Sequence, residues 1–249
     1  MSDIEERYRA ATAKSVEMGK RAERVMPGGD TRTTTYYRPY PLTLARGEGP
    51  FVWDVDGNKY IDLIGNYTSL VHGNAYPPIV EAVSKAVRDG SAWPARSIAQ
   101  VELATLICER VASIDRVRFC NSGTEAGMLA AQVARRLTGR KLILMARYGY
   151  HGSYDDLEVG LGGQDGECTM LADFGEATAF EALLSERGAE IAAVFLEPVL
   201  GSAGVVEPPQ GFLSRVAEAA HRAGALFILD EVITLRLHEG GAQQIFDVK

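Results

Sequence analysis

The chain is short of cysteine, has no long apolar run and gathers no block of basic residues, and each shortage removes a class of protein. Its three cysteines, Cys108, Cys120 and Cys168, are too few and too scattered for a disulfide framework or a metal knuckle. A reducing, cytoplasmic setting is therefore expected. No apolar stretch reaches the length of a bilayer crossing. The opening MSDIEERYRAATAK carries acids where a secretory signal would carry its apolar segment. Without a Lys/Arg stripe, and at a net charge of -7, nucleic acid is not an expected partner. The mild acidity chiefly favours solubility.

What remains is a chain of 249 residues, 46% hydrophobic, enough for one large domain or a large and a small one. Ile4, Ala11, Met18 and Val25 recur every seven residues with Tyr8 and Ala22 beside them, which predicts one amphipathic helix stopped by Pro27-Gly28-Gly29. From Leu42 to Leu63 the period falls to two. LTLAR, FVWDV and KYIDL read as an antiparallel meander, with Asp56-Gly57 as a hairpin turn. Beyond Pro77-Pro78, helices and strands alternate. Helices are expected through Ile79–Val87, 98–112, 124–137, 177–187 and 212–223. Strands are expected at RVRFC (116–120), KLILM (141–145), IAAVFLEP and ALFILDE, with a long Gly-rich loop running to about Gly166. This alternation predicts an α/β fold, a mostly parallel sheet sandwiched by helices and preceded by the N-terminal helix and meander. The expected division is 1–70 for the helix and meander, and 71–249 for an incomplete large domain.

The chemistry is expected where strands end. ALFILDEV is a short apolar run closing on Asp230 and Glu231. A carboxylate at the end of a buried strand is costly without a cationic partner, and ligands of open α/β sheets bind at the carboxyl ends of strands. Asn121-Ser122-Gly123-Thr124-Glu125 sits at a strand-to-helix junction, where exposed N–H groups attract a phosphate. Taken alone, the same residues more simply make an ordinary helix cap. Tyr148-Gly149-Tyr150-His151-Gly152 sets an aromatic between glycines after KLILM, either as a ring face for a flat ligand or as a turn covering the sheet edge. Glu197 ends IAAVFL. Together these strand ends would give one rim a phosphate cradle, a ring face and a buried acid. A P-loop ATPase also carries an apolar strand ending in acids, but this chain has no G-x-x-x-x-G-K-[ST] run.

In this order, NSGTEA, YGYHG, LEP and LDEV resemble the class III (subgroup II) aminotransferases among the fold-type I pyridoxal-phosphate enzymes. More narrowly, the chain resembles the branch of glutamate-1-semialdehyde aminomutase and the β-amino-acid transaminases, which MPGGDTR, PLTLARGEGPFVWDVDGNKYIDL and GGAQ also match. The resemblance implies that pyridoxal 5'-phosphate is the cofactor, with Ser122, Gly123 and Thr124 on its phosphate and Tyr150 on one ring face. Val232 would lie on the other face, and Asp230 would face the protonated ring nitrogen. His151 and Glu197 join the expected cofactor set, and Arg32 falls where β-amino-acid transaminases bind a substrate carboxylate. The implied reaction moves an amino group between an amino acid or amine and a 2-oxo acid in a homodimer. The alternatives are intramolecular transfer by an aminomutase, or a non-catalytic cofactor-binding or heteromeric partner protein.

The resemblance fails at one place. The family's Schiff-base lysine lies beyond the Asp230 equivalent and has no counterpart here. Lys249 matches a non-catalytic lysine of the family. The sequence is accordingly expected to be a fragment, missing the rest of the large domain and the small domain, and inactive alone.

Overall fold

The computed structural model describes residues 3–32 and 35–248. It forms two compact units that divide between Pro94 and Ala95. No described helix is long and apolar enough to cross a membrane.

In the first unit, the single helix expected over residues 4–25 is two: α1 (Asp3–Ala11) and α2 (Ala13–Glu23). The break at Thr12, φ -130° and ψ 40°, follows from competing hydrogen bonds. Thr12 Oγ1 donates to the Tyr8 carbonyl at 2.7 Å, and Asn58 Nδ2 donates to the Ala11 carbonyl at 2.8 Å. The freed N-terminus of α2 is then capped from a distance, because Asp56 accepts from the N–H groups of Lys14 and Ser15 at 2.8 and 3.1 Å. The seven-residue stripe is not the buried face: Ile4 and Val25 are exposed, whereas Thr12 and Ser15 are buried.

The meander is as expected, an antiparallel sheet of β1 (Leu44–Glu48), β2 (Phe51–Asp54) and β3 (Lys59–Ile61). Its hairpin turn is organised by the buried Asp54, which accepts from the Asp56 and Asn58 N–H groups, from Asn58 Nδ2 and from the Tyr60 hydroxyl. Burial alone would raise that carboxyl, but these donors hold it below the ordinary carboxylate range. Helix α3 (Pro77–Asp89) follows.

The second unit opens with α4 (Ile98–Arg110), capped by a reciprocal Ser97–Gln100 box. Its sheet contains β4 (Leu142–Ala146), β5 (Thr169–Ala172), β6 (Ile191–Leu196) and β7 (Leu226–Leu229) in the order β5-β4-β6-β7, every pair parallel. Helices α5 (Gly123–Thr138), α6 (Asp155–Gly162), α7 (Ala177–Arg187) and α8 (Phe212–Arg222) supply its cover. Alternate residues of β4 and β6 divide between two cores. Leu142, Leu144, Val194 and Leu196 pack with Phe180 of α7 and Phe212 and Val216 of α8. Ile143, Met145, Ala193 and Phe195 pack with Ala131 and Ala134 of α5 and Leu157 of α6. Both faces of the central strands are therefore buried, which explains their unbroken apolar runs. At the opposite edge from the strand ends, Arg140 Nη1 donates to three carbonyls, those of Gly188, Ile191 and Ala223, at 2.9, 3.2 and 2.8 Å.

Two expectations fail here. RVRFC (116–120) is not a strand, because it pairs with no strand among the described residues, and Phe119 and Cys120 are exposed. The long loop to Gly166 contains α6, and β5 follows it. Glycines in DDLEVGLG hid the helix, and β5 is only four residues long.

Candidate functional site

Because β4 leads to β5 on one side and β6 lies on the other, the connections diverge between β4 and β6. At such a divergence the loops separate beyond the strand ends and leave a crevice. The residues following β4, β6 and β7 converge there.

Helix α5 enters from one side. Ser122 is its N-cap, with extended backbone and a hydroxyl that accepts from the Glu125 N–H at 3.2 Å. Glu125 in turn accepts from the Asn121 N–H at 2.6 Å. The ordinary cap is thus realised, yet it consumes only one amide of the first turn. The N–H groups of Gly123 and Thr124 have no partner among the described residues. They open a helix of 16 residues, whose dipole favours an anion at this end. A Cβ built on Gly123 would lie 3.4 Å from Val232 Cγ2, so the start of α5 and the segment after β7 are neighbours.

The loop after β4 docks on the same turn. Thr124 Oγ1 accepts from the Ser153 N–H at 3.1 Å. Gly152 has φ 113°, and a Cβ there would sit 2.6 Å from Thr124 Cα. Only glycine permits this approach. Tyr150 is half-buried, with its N–H donating to Glu197 Oε2 at 3.1 Å and its hydroxyl 3.2 Å from Ser153 Oγ.

Asp230 was expected to need a cation, and the first basic group it meets is His151. Its Oδ2 lies 2.9 Å from His151 Nδ1, and its Oδ1 accepts from the Val232 N–H at 3.0 Å. The histidine side chain is 1% exposed and tilts against Phe195, while Asp230 keeps 19% of its side chain open. Glu197 is the more deeply buried acid. It accepts from the Tyr150 and Gly201 N–H groups, each at 3.1 Å. Burial raises its carboxyl above the ordinary range, against the pull of His151 and those two amides.

The second unit thus brings together Ser122, Gly123, Thr124, Tyr150, His151, Glu197, Asp230 and Val232. Arg32 belongs to the first unit, where it is exposed and donates to Asn66 Oδ1 at 3.3 Å. Lys249 lies outside the described residues. Sequence reasoning passed over Glu231, which accepts from the Gln243 N–H and side-chain amide at 3.3 and 2.9 Å and also from the Ala242 N–H. It thereby caps the short helix α9 (Ala242–Ile245) and anchors the GGAQ tract. Two adjacent acids, one turned to the rim and one to the following loop, were the available signal. Gly152 and Ser153 were also missed as elements of the α5 docking.

Comparison with known proteins gives a consistent picture. The family described as Aminotransferase class-III matches residues 33–171 and 163–235. A β-phenylalanine transaminase from Variovorax paradoxus is 37% identical over 97% of this chain and 56% of its own length. A glutamate-1-semialdehyde 2,1-aminomutase from Chloroflexus aurantiacus is 40% identical over 99% of this chain and 59% of its own. A solved structure described as a transaminase with PLP bound superposes with a TM-score of 0.91 at 34% identity, covering 96% of this chain and 59% of that one. The chain therefore spans little more than half the length of the relatives it matches.

Proposed function

This chain belongs to the class-III aminotransferases, and from that premise we propose that it holds pyridoxal 5'-phosphate at the rim after β4, β6 and β7. The reaction served is transfer of an amino group between an amino acid, β-amino acids included, or an amine and a 2-oxo acid. The fold is that of the fold-type I pyridoxal-phosphate transferases.

The residues fit the cofactor. The observation that carries the reading is the pairing of an open carboxylate, Asp230, with two unpartnered helix-start amides on adjoining segments linked through Val232 and Gly123. Gly123 and Thr124 would hold the phosphate by their N–H groups, with the Ser122 and Thr124 hydroxyls beside it. Tyr150 and Val232 would flank the ring, and Asp230 would keep its nitrogen protonated. When bound, the cofactor supplies an electron sink for breaking a bond at the amine-bearing carbon. His151, donating to Oδ2, holds Asp230 in the acceptor orientation. Glu197, tied to the Tyr150 N–H, fixes the loop that carries the tyrosine. Arg32 would bind a substrate carboxylate. The roles of these residues, the 1–70 and 71–249 division, a homodimer and a cytoplasmic location belong to the same proposal.

No lysine among these residues matches the one that bonds the cofactor in the family, so the 249 residues alone would bind pyridoxal phosphate without turning over. The 40% identity to an aminomutase supports intramolecular transfer as a second reading. Dependence of product on an added 2-oxo acid in a protein carrying the downstream lysine separates the two. Titration of the chain with pyridoxal phosphate and with unphosphorylated pyridoxal tests the site itself. Saturable binding of one equivalent of the phosphate form, with pyridoxal binding far more weakly, is expected. Equal affinity for both, or no saturable binding, would overturn the assignment.

A further inference from the structure

Two short loops of the first unit place Arg32. Asp30 holds the backbone of one, accepting from the N–H groups of Thr31 and Arg32 at 2.6 and 3.2 Å and from the Thr35 hydroxyl at 2.5 Å. The Thr35 bond above all, with the charge of Arg32 a lesser influence, keeps the Asp30 carboxyl below the ordinary range. The other loop meets the guanidinium itself, because Arg32 Nη1 donates to Asn66 Oδ1 at 3.3 Å. The Ser69 hydroxyl donates to the Asn66 carbonyl at 2.9 Å, so its oxygen accepts from Asn66 Nδ2 at 3.0 Å. That bond turns Oδ1, not the amide nitrogen, towards Arg32. No ion pair among the described residues includes Arg32. The backbone that carries Asn66 is unusual. Gly65, Asn66, Tyr67 and Thr68 are successively left-handed, with φ of 54°, 49°, 54° and 70°. A β-branched residue is an outlier there, whereas asparagine and aspartate tolerate the region. Asp62 anchors the turn, accepting from the Ile64 and Gly65 N–H groups at 3.1 and 2.8 Å and from Asn74 Nδ2 at 3.0 Å. Strain of this kind persists only where the surroundings over-determine it.

We propose that Asn66 is a positioning residue for Arg32: its amide oxygen aims the guanidinium while leaving the positive charge for the carboxylate of an amino-acid donor. The inference rests on the reading of Arg32 as the carboxylate binder and adds what keeps that residue selective. An amide oxygen and a carboxylate oxygen accept the same hydrogen bond, but only the carboxylate neutralises its donor. Aspartate at position 66 would keep the left-handed turn and compete with the donor for the charge. Alanine would leave the charge and remove the aim. Asn66 engages Nη1, so the edge formed by Nε and Nη2 can grip a carboxylate at two points. The substrate class this favours is an amine that carries a carboxylate over the same amine without one.

Two measurements separate the contact from its use. In the 249-residue chain, the carboxyl introduced by Asn66→Asp is titrated by carbon-13 NMR, with Arg32 present and in an Arg32→Ala background. With Arg32 present it should titrate about one unit lower, as an opposite charge at hydrogen-bond distance requires. Equal titration in both backgrounds would show that the two side chains do not meet, and would overturn the proposal. The second measurement uses the enzyme carrying the downstream lysine, with β-aminobutyrate and isopropylamine (the same molecule without its carboxyl group) as donors. The ratio of kcat/KM for the acid to that for the amine should fall about tenfold or more in Asn66→Asp, through KM for the acid, and by less in Asn66→Ala. An equal loss for both donors would mark a purely structural residue and count against the proposal. So would a ratio unchanged in Asn66→Asp but lowered in Arg32→Ala. A ratio unmoved by Arg32→Ala would instead remove the carboxylate reading of Arg32, leaving the contact to stand on the titration.

Discussion

Replacing Gly152 by alanine strikes the joint between the loop after β4 and the first turn of α5. The residue has φ 113°, a region that costs an L side chain about 1–2 kcal/mol. The new Cβ would lie 2.6 Å from Thr124 Cα and 2.7 Å from Thr124 Oγ1, so the loop or the first turn of α5 must shift. Overpacking of this kind typically adds about 1–3 kcal/mol. The sum, about 2–5 kcal/mol, falls on the contact that aligns the Ser153 N–H with Thr124 Oγ1. Urea unfolding of Gly152→Ala should give a clearly lowered midpoint with an unchanged slope. Pyridoxal phosphate affinity should fall by about tenfold or more, since every 1.4 kcal/mol is a factor of ten. Gly162→Ala in α6 is the internal control: nothing lies within 4 Å of its added Cβ, so its midpoint should match or slightly exceed the wild type. If Gly152→Ala unfolded within about 0.5 kcal/mol of the wild type, an amount typical of innocuous surface substitutions, the close approach would have no energetic weight.

The remaining predictions concern the scaffold. Arg140→Met removes one guanidinium from three carbonyls and should destabilise the second unit by about 2–4 kcal/mol in urea, given charged hydrogen bonds of about 1.5–3 kcal/mol that add incompletely. A loss under about 0.5 kcal/mol, the ordinary surface range, would make those bonds incidental. Asp54 has a folded-state pKa below its unfolded one, so its stabilisation is complete above the ordinary carboxylate range, about pH 4, and lost as pH falls through the folded value. The wild-type urea midpoint should therefore drop on acidification more steeply than that of Asp54→Asn; parallel pH profiles would contradict this. Glu197 has the opposite sign. Its raised carboxyl makes ionisation cost stability as pH rises past the unfolded value, so Glu197→Gln should gain on the wild type from pH 4 to pH 8. A gap that narrows over that range would refute the direction.

The rim was legible from sequence because its parts are local. An apolar run ending in an acid and a glycine at a helix start each declare themselves within about six residues, the length of an ordinary strand. Asp230 was singled out by its place at the end of a buried strand, where a carboxylate calls for a partner. Its actual neighbour, His151, stands 79 positions earlier, and periodicity carries no information about such a pairing. The same limit hid Glu231, whose targets are Ala242 and Gln243. The N-terminal helix was misread because its apolar stripe obeys the right spacing while Thr12, Asn58 and Asp56 compete for the backbone at the break. RVRFC has the composition of a strand, but a strand is a property of two segments, and no described strand lies beside it. Local pattern therefore served wherever both partners were close in sequence, and failed where the second partner was remote.

The most direct test of the account is the dissociation constant of pyridoxal phosphate for the 249-residue chain, with and without the Asp230 carboxylate. Losing a hydrogen bond to a charged group costs about 1.5–3 kcal/mol, so Asp230→Ala should weaken binding by about 10- to 150-fold, with fold and phosphate preference retained. An unchanged dissociation constant would show that this carboxylate does not face the cofactor ring.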